Sequence, residues 1–518
     1  MNVVIRTDAS NKIGTGHVIR CLTLAERLRD KGVSVYFISR LHEGHLCDVL
    51  EQHGFTVYRL TCSQAERGVD FRRSYDQWLG GSWQEDSLET SKIIANLTTK
   101  PTWLVVDHYA LDLQWEKQQR SLVERILVID DLADREHDCD LLLDQNLVEQ
   151  MDARYTGLIP DSASIFLGPS YALLQPLYAE LHDCIPQREG TIRRILIFFG
   201  GADTSNLTGL TLEALIGLQR TDIAIDVVLG RSCLNKKAIC KLVQGIQNIN
   251  LYESLPSLAP LMVKADLAIG GGGATTWERL CLGLPSLVIT LADNQKPIAD
   301  ILHRRGVLYW LGHSEEVTLD LLQQTLKRIV EENLEKGWSE RCYQTVDGKG
   351  TERIATLMLL DCVSPLQARR ARVTDEELIL EWANDGETRR NGFCSEPITQ
   401  EVHHQWFISR LRDIEGCFMC IVESQNGVPV GQVRFQRAED EIYEVHYSLA
   451  KCFRGRAMGQ EMLKTGMQHF LKNQKGATLT ACVKKENIPS QKIFRKLKFV
   501  LQNEYSQPEI LKYQLQTS

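Results

Sequence analysis

A short apolar run, NVVIRTD at positions 2–8, opens the chain and has the character of a strand buried on both faces. An amphipathic stretch follows at about 17–31, and a second buried-strand run, VSVYFISR, at 33–40. Further apolar runs sit at 102–107, 126–130 and 141–144, separated by helix-like or polar segments. Strands alternating with helices predict a parallel sheet covered on both faces. The pattern then restarts with RRILIFFGG (193–201) and continues through AIDVVLG (224–230), ADLAIGGGG (265–273) and PSLVITL (285–291). Two such sets in succession predict two doubly wound, Rossmann-like α/β lobes, residues 1–185 and 186–361, facing a cleft.

Past residue 361 the texture changes. CVSPLQARR reads as a linker, and residues 368–518 mix helices at about 374–384 and 399–411 with shorter strands, CFMCIVES, VGQVRFQ and EIYEVHYSL. That mixture predicts a separate α+β domain, mainly antiparallel. The 518 residues leave room for about three domains, which agrees.

Composition narrows the function classes. A net charge of −8 argues against a nucleic-acid partner, because phosphate neutralisation needs clustered Lys and Arg. No apolar run has the length of a membrane span, so no membrane partner is expected. Fifteen cysteines, odd in number and without a spaced framework, suit reduced thiols in a cytoplasm. The CxxC of Cys417 and Cys420 lies in an apolar run without a second pair, so strand packing is expected rather than zinc. Asp130, Asp131, Asp140 and Asp144 match no ligand loop and read as solvated or capping groups; no metal is expected.

The candidate chemistry lies in the turns that follow strands. In KIGTGHVIRC, Gly14 and Gly16 permit a tight turn directly before His17 and the apolar helix. The partial positive charge at a helix start opposes protonation of a nearby imidazole, which suits a general base. A capping residue with no chemistry fits the same pattern equally well. In GGGGATTWERL, the amides of Gly272, Gly273, Ala274 and Thr275 open a helix and suit a diphosphate, and Glu278 one turn on suits ribose hydroxyls. FFGGADTSN with Gly200, and LADNQKP with Asn294 and Gln295, end two further strands of the same lobe and suit a sugar or phosphate. The first βα turn reads GxGH rather than the dinucleotide GxGxxG, and no Walker A motif occurs.

Taken together, RTDASNKIGTGHVIRCLTLAERL, LVVDHY, VIDDLADREHDCDLLLDQN, LGPSYALLQP and GGGGATTWERLCLGLPSLVITLADNQ resemble the UDP-2,4-diacetamido-2,4,6-trideoxy-β-L-altropyranose hydrolases of pseudaminic acid biosynthesis. The resemblance covers about residues 1–360, in order. It implies a GT-B fold, related to the glycosyltransferase that completes lipid II, and metal-independent cleavage of a UDP-sugar by water at the anomeric carbon, with inversion. It implies that His17 activates the water and that Tyr109 and Asn294 lie near the sugar.

YSLAKCFRGRAMGQEMLKTG resembles the pyrophosphate loop of GCN5-related N-acetyltransferases, with Arg454, Gly455, Arg456, Ala457, Met458 and Gly459 at the coenzyme. TACVKKENIPSQKIFRKLKF resembles the next strand–helix unit, which implies Asn487 and Ser490 beside the pantetheine. WANDGETRRNGF and ITQEVHHQWFISRL resemble the helices of the sugar-amine branch. Acetyl-CoA is therefore the expected co-substrate and a UDP-amino-sugar the expected partner. Two positions depart from that family: Ala457 replaces a usual glycine, and Phe494 stands where many members have a tyrosine that protonates the leaving thiolate. On strand alternation, Glu444, His446 and Ser448 share one face and are candidates for that step. The joined resemblances imply an acetyltransferase and a hydrolase acting on successive substrates. The rival readings are a glycosyltransferase, and an acetyltransferase-like module that only binds.

Overall fold

The computed structural model describes residues 1–62, 75–230, 232–253, 255–359, 366–424, 428–454, 458–472, 474, 476–502 and 509–516. The chain divides into two units, Met1–Ala355 and Thr356–Ser518.

The first unit holds two sheets. One contains β1 (Asn2–Thr7), β2 (Ser34–Arg40), β3 (Thr56–Leu60), β4 (Trp103–Asp107), β5 (Arg125–Ile129), β6 (Leu141–Asp144) and β7 (Ser164–Leu167). Its order is β3-β2-β1-β4-β5-β6-β7, every pair parallel. The other contains β8 (Arg194–Phe198), β9 (Ala224–Leu229), β10 (Ile249–Glu253), β11 (Leu267–Gly271), β12 (Ser286–Thr290) and β13 (Tyr309–His313), in the order β10-β9-β8-β11-β12-β13, again all parallel. This is the doubly wound arrangement that the sequence pattern predicts, once per lobe. Strands covered on both faces must be apolar on both, which is why Val3, Val4 and Ile5 of β1, and Leu267, Ala268 and Ile269 of β11, are all buried. Each fully buried Val, Leu or Ile among them contributes about 1.5–3 kcal/mol.

Strand order reverses between β1 and β4 in the first lobe and between β8 and β11 in the second. A crevice opens at such points, beyond the carboxyl ends of the strands. Helix α1 (Gly16–Asp30) begins after β1, and helix α2 (Thr275–Cys281) begins after β11. After lobe two the chain returns to lobe one: Thr351 Oγ1 bonds the Leu174 carbonyl at 2.7 Å and Arg353 the Ser170 carbonyl at 2.7 Å. Glu352 pairs with Arg27 and Lys31 of α1.

The second unit is a mixed sheet of β14 (Gln367–Arg370), β15 (Cys417–Glu423), β16 (Pro429–Glu439), β17 (Ile442–Leu449), β18 (Thr478–Lys484), β19 (Val500–Leu501) and β20 (Ile510–Gln516). The order is β14-β15-β16-β17-β18-β20-β19, antiparallel except for β17 beside β18. Helices α3 (Gln400–Arg412), α4 (Met458–Leu471) and α5 (Ile488–Lys496) accompany it. Phe470 of α4 stacks on Phe435 of β16 at 4.2 Å and meets Phe418 and Tyr443 edge-on. Cys417 and Cys420 are buried in β15, an odd number of residues apart and so on opposite faces.

Candidate functional site

Between β1 and α1 the chain makes a tight loop. Ser10 and Gly14 exchange backbone hydrogen bonds at 3.3 and 2.8 Å, and the Ser10 hydroxyl accepts from the amides of Lys12 and Ile13. Gly14 turns the chain with φ +81°, a conformation a side chain would strain. His17 follows in the first turn of α1. Its Nδ1 lies 2.6 Å from Asp107 Oδ1, at the end of β4. A carboxylate only accepts, so the ring proton sits on Nδ1 and the lone pair on Nε2.

Asp107 is buried and also held by Arg20, whose Nε donates to Oδ2 at 2.7 Å and whose Nη2 donates at 2.6 Å to Oδ1, the oxygen that faces His17. Burial alone would raise this carboxyl, but the Arg20 guanidinium and the His17 ring override it and hold it well below the ordinary carboxylate range. The sequence reading placed His17 at the helix start but did not name the carboxylate that touches its ring. Arg20 also donates to Asp131 at 3.2 Å. Asp131 accepts the Tyr109 hydroxyl at 2.5 Å, and Asn294 Nδ2 reaches that hydroxyl from the second lobe at 3.4 Å. Burial first, and then the negative Asp131, push the Tyr109 phenol well above its ordinary value, so it donates and is not a base. The rings of His17 and Tyr109 meet edge-on, 4.6 Å apart. The structure thus joins His17, Tyr109 and Asn294 through two aspartates and an arginine.

The other aspartates meet the sequence reading in part, for Asp130, Asp140 and Asp144 accept the amides of Ala133, Ile126 and Asn146 at 2.9, 2.8 and 2.9 Å. Asp130 and Asp144 are buried, not solvated, and are paired with Arg135 at 2.8 Å and Arg154 at 3.0 Å. Asp140 pairs with Arg120. Burial, helped by the neighbouring Asp131 charge, pushes the Asp144 carboxyl up to about 7. Among the described residues no group of three or more His, Cys, Asp or Glu is arranged to hold a metal ion.

In lobe two the glycine turns come together. A Cβ on Gly230 would sit 2.2 Å from the Gly201 carbonyl, so only glycine lets the strand ends approach. Gly200 turns with φ +86°, and a Cβ on Gly201 would sit 3.4 Å from the Thr15 methyl in the first lobe. Gly272, Gly273, Ala274 and Thr275 lead into α2, and the Gln295 side chain lies over Gly272 while accepting the Leu291 amide at 2.9 Å. Gly16 has open space around its Cα. Glu278 is half-buried and accepts the Tyr178 hydroxyl at 2.9 Å. Burial pushes its carboxyl up, with that hydrogen bond opposing.

In the second unit, β17 and β18 pair only from Ile442 to Glu444, against Thr478 to Thr480. Beyond this the strands part, and a cavity of about 1080 Å³ opens there. Met458, Gly459, Asn487 and Ser490 line it. Asn487 caps α5 by accepting the Ser490 amide at 3.2 Å. Arg454 lines the cavity too, and pairs with Asp385 at 2.6 Å and Glu387 at 3.1 Å. Gly455, Arg456 and Ala457 lie outside the described residues. The far side of the cavity carries cross-strand pairs, Gln432 with Ser448 and Arg434 with His446. Burial, with Arg434 and Arg410 adding to it, drives the His446 imidazole down to about 4, so it is neutral at neutral pH. Ser448 Oγ and both ring nitrogens of His403 are buried without a partner, which suits a polar ligand. A coenzyme thioester fits the opened strands and these donors.

Residues 366–500 match the model of the acetyltransferase (GNAT) domain, and residues 194–346 that of the glycosyltransferase family 28 C-terminal domain. The chain thus carries a GNAT acetyltransferase domain behind a GT-B-like pair of lobes. In its first part it is similar to the UDP-2,4-diacetamido-2,4,6-trideoxy-beta-L-altropyranose hydrolase of Campylobacter jejuni, 27% identical over 59% of this chain and 97% of that protein. An uncharacterized protein of Methanocaldococcus jannaschii is 24% identical over 96% of both chains. Among solved structures, MurG of Acinetobacter baumannii is 15% identical, covering 69% of this chain and 99% of its own, with a TM-score of 0.48. Among the described residues no helix is long and apolar enough to cross a membrane.

Asp107 and Arg20 escaped the sequence reading, and Asp131, read there as a solvated or capping group, joins the site through Arg20 and Tyr109. The signals were present: Arg20 is one helical turn past His17, and Asp107 is the charged end of an apolar strand.

Proposed function

We propose that this chain is a bifunctional sugar-nucleotide enzyme. The GNAT domain transfers acetyl from acetyl-CoA to the 4-amino group of a UDP-linked 4-amino-4,6-dideoxy-L-altrose derivative. The two lobes then hydrolyse UDP-2,4-diacetamido-2,4,6-trideoxy-β-L-altropyranose to UDP and the free sugar. The observation that carries the reading is the His17–Asp107 pair, linked through Arg20, Asp131 and Tyr109 to Asn294 of the other lobe.

In this mechanism His17 Nε2 takes a proton from water as the water oxygen bonds to the anomeric carbon. The bond from that carbon to the diphosphate breaks, and its electron pair leaves with UDP. Asp107 stabilises the imidazolium that forms and holds the ring's orientation. The amides of Gly272 to Thr275 offset the growing diphosphate charge, and Glu278 accepts ribose hydroxyls. His17, Tyr109, Asn294, Gly14, Gly16, Gly200 and Gln295 complete the proposed site. The match of residues 194–346 to a glycosyltransferase domain favours one rival, transfer of the sugar to an alcohol.

The test is product analysis by mass spectrometry after the full chain meets the UDP-4-amino-sugar and acetyl-CoA. Free diacetamido sugar, UDP and coenzyme A are expected. With His17→Ala the acetylated UDP-sugar accumulates, because losing a general base costs about 10²–10⁴ in rate. UDP release that requires an added alcohol, or no acetylated product, overturns the reading.

A further inference from the structure

Phe494 leaves the acetyltransferase cavity without a proton donor at that position of α5. A second aromatic residue lies opposite it. Tyr447 of β17 lies three residues past the last pairing with β18, where the two strands have parted. Its ring meets Phe494 edge-on at 5.9 Å, and its hydroxyl is 2.8 Å from Ser490 Oγ, one helical turn before Phe494. Tyr447, Ser490, Asn487 and Phe494 line the same cavity, together with Met458 and Gly459 at the start of α4. The polar groups His446 and Ser448 flank Tyr447 in sequence and so project to the other face of β17.

We propose that Tyr447 is the acid that protonates the coenzyme A sulfur as the acetyl group leaves. The inference rests on the acetyl-transfer reading of this cavity. In the step, the amine nitrogen bonds to the acetyl carbon, the carbon–sulfur bond breaks, and the sulfur's electron pair takes the phenolic proton of Tyr447. Ser490 Oγ returns a proton to the tyrosinate and recovers its own, by way of solvent, from the proton that the amine nitrogen loses. One proton leaves nitrogen and one arrives at sulfur, so the step balances without a further reactant.

The surroundings suit an acid. Burial pushes the Tyr447 phenol up, with the Ser490 bond opposing, so the proton is in place at neutral pH. Ser490 and Phe494 of α5 touch it, and the titratable groups Cys482, His446, Lys492, Lys496, Arg434 and Arg454 line the same cavity, Arg454 being held by Asp385 and Glu387. Tyr447 and Ser490 together act as a relay delivered from the strand, in place of one tyrosine on the helix.

Tyr447→Phe in the full chain tests this with two readouts. The first needs no acceptor: the thiol of bound coenzyme A is titrated by the ultraviolet absorbance of its thiolate. A phenol that donates to sulfur stabilises the thiolate, so the midpoint should rise by about one unit in the variant. The second is acetyl transfer: kcat should fall about 10²-fold with KM for acetyl-CoA nearly unchanged. Tyr447→Phe with Phe494→Tyr should regain much of that loss, because the phenol returns from α5; that recovery also excludes simple misfolding. A thiol midpoint identical in wild type and variant overturns the proposal, as does an undiminished kcat. If the wild type acetylates no UDP-amino-sugar, the acceptor reading fails instead, and the thiol midpoint still decides on Tyr447.

Discussion

Asp107→Asn isolates the carboxylate that faces His17, a group the sequence reading did not single out. Asparagine has nearly the same shape, so α1 and β4 should keep their positions. Two things change. The 2.6 Å contact loses its charge, and an amide facing His17 Nδ1 can donate where the carboxylate only accepted. Donation moves the ring proton to Nε2, the atom that has to take the proton from water. A charge-assisted hydrogen bond contributes about 1.5–3 kcal/mol, and losing it in the transition state alone costs about 10–150-fold in rate. The wrong tautomer adds to this; the corresponding change in the serine protease triad costs about 10⁴. We therefore expect kcat for UDP release to fall about 10²–10⁴-fold. KM should change less than about threefold, because the diphosphate and ribose contacts proposed above fall on the other lobe. The assay is continuous UDP detection with the acetylated UDP-sugar, alongside circular dichroism to establish the fold. A folded variant with wild-type kcat would refute the dyad, and a loss confined to KM would move Asp107 from chemistry to binding.

Glu278→Gln keeps a partner for the Tyr178 hydroxyl but removes the charge; KM for the UDP-sugar should rise about 10-fold or more while kcat stays within about threefold, measured in the same assay. The Asp107 carboxyl is held below its ordinary value in the fold, so its stabilisation is present above about pH 4 and is lost as pH falls through the lower folded value. Denaturant melts should accordingly show the stability gap between wild type and Asp107→Asn narrowing as pH falls from about 5 to 2, and a gap that widens there contradicts the assignment. A chain ending at residue 361 retains the Gly350–Leu359 helix and should hydrolyse the acetylated UDP-sugar unaided. Ending it at residue 345 removes the bonds of Thr351 and Arg353 to lobe one and should lower the thermal midpoint, read by differential scanning fluorimetry.

The strands that the sequence pattern revealed in the first unit are β1, β2, β4, β5 and β6 of one sheet and β8, β9, β11 and β12 of the other. The four it passed over, β3, β7, β10 and β13, are the four sheet edges. The reason is physical. An interior strand of a parallel sheet is covered on both faces and leaves a continuous apolar run. An edge strand is half-exposed, as in β10, where no residue is fully buried, and its sequence blends into the loops. The same holds in the second unit for β14 and β19, whose residues are exposed or half-buried.

The sites were legible to a different depth. Glycine turns after buried strands mark the ends where ligands collect, and those turns are visible in one dimension because only glycine accepts their backbone. Asp107 is not visible in that way. It lies 90 residues from His17, and the two meet only because β4, and not β2, follows β1 on that side of the sheet. Sequence spacing shows that an apolar strand ends in a carboxylate; strand order decides what the carboxylate touches. Tyr447 shows the complementary limit. Alternation puts Glu444, His446 and Ser448 on one face of β17, and that polar face is where the sequence leads one to expect an acid. The strands part beyond Glu444, so the cavity reaches both faces, and a tyrosine that alternation assigns to the core side opens onto it as well. Periodicity tells which residues share a face. Whether a face meets core or cavity depends on where neighbouring strands stop pairing, and that is set by partners far away in the chain.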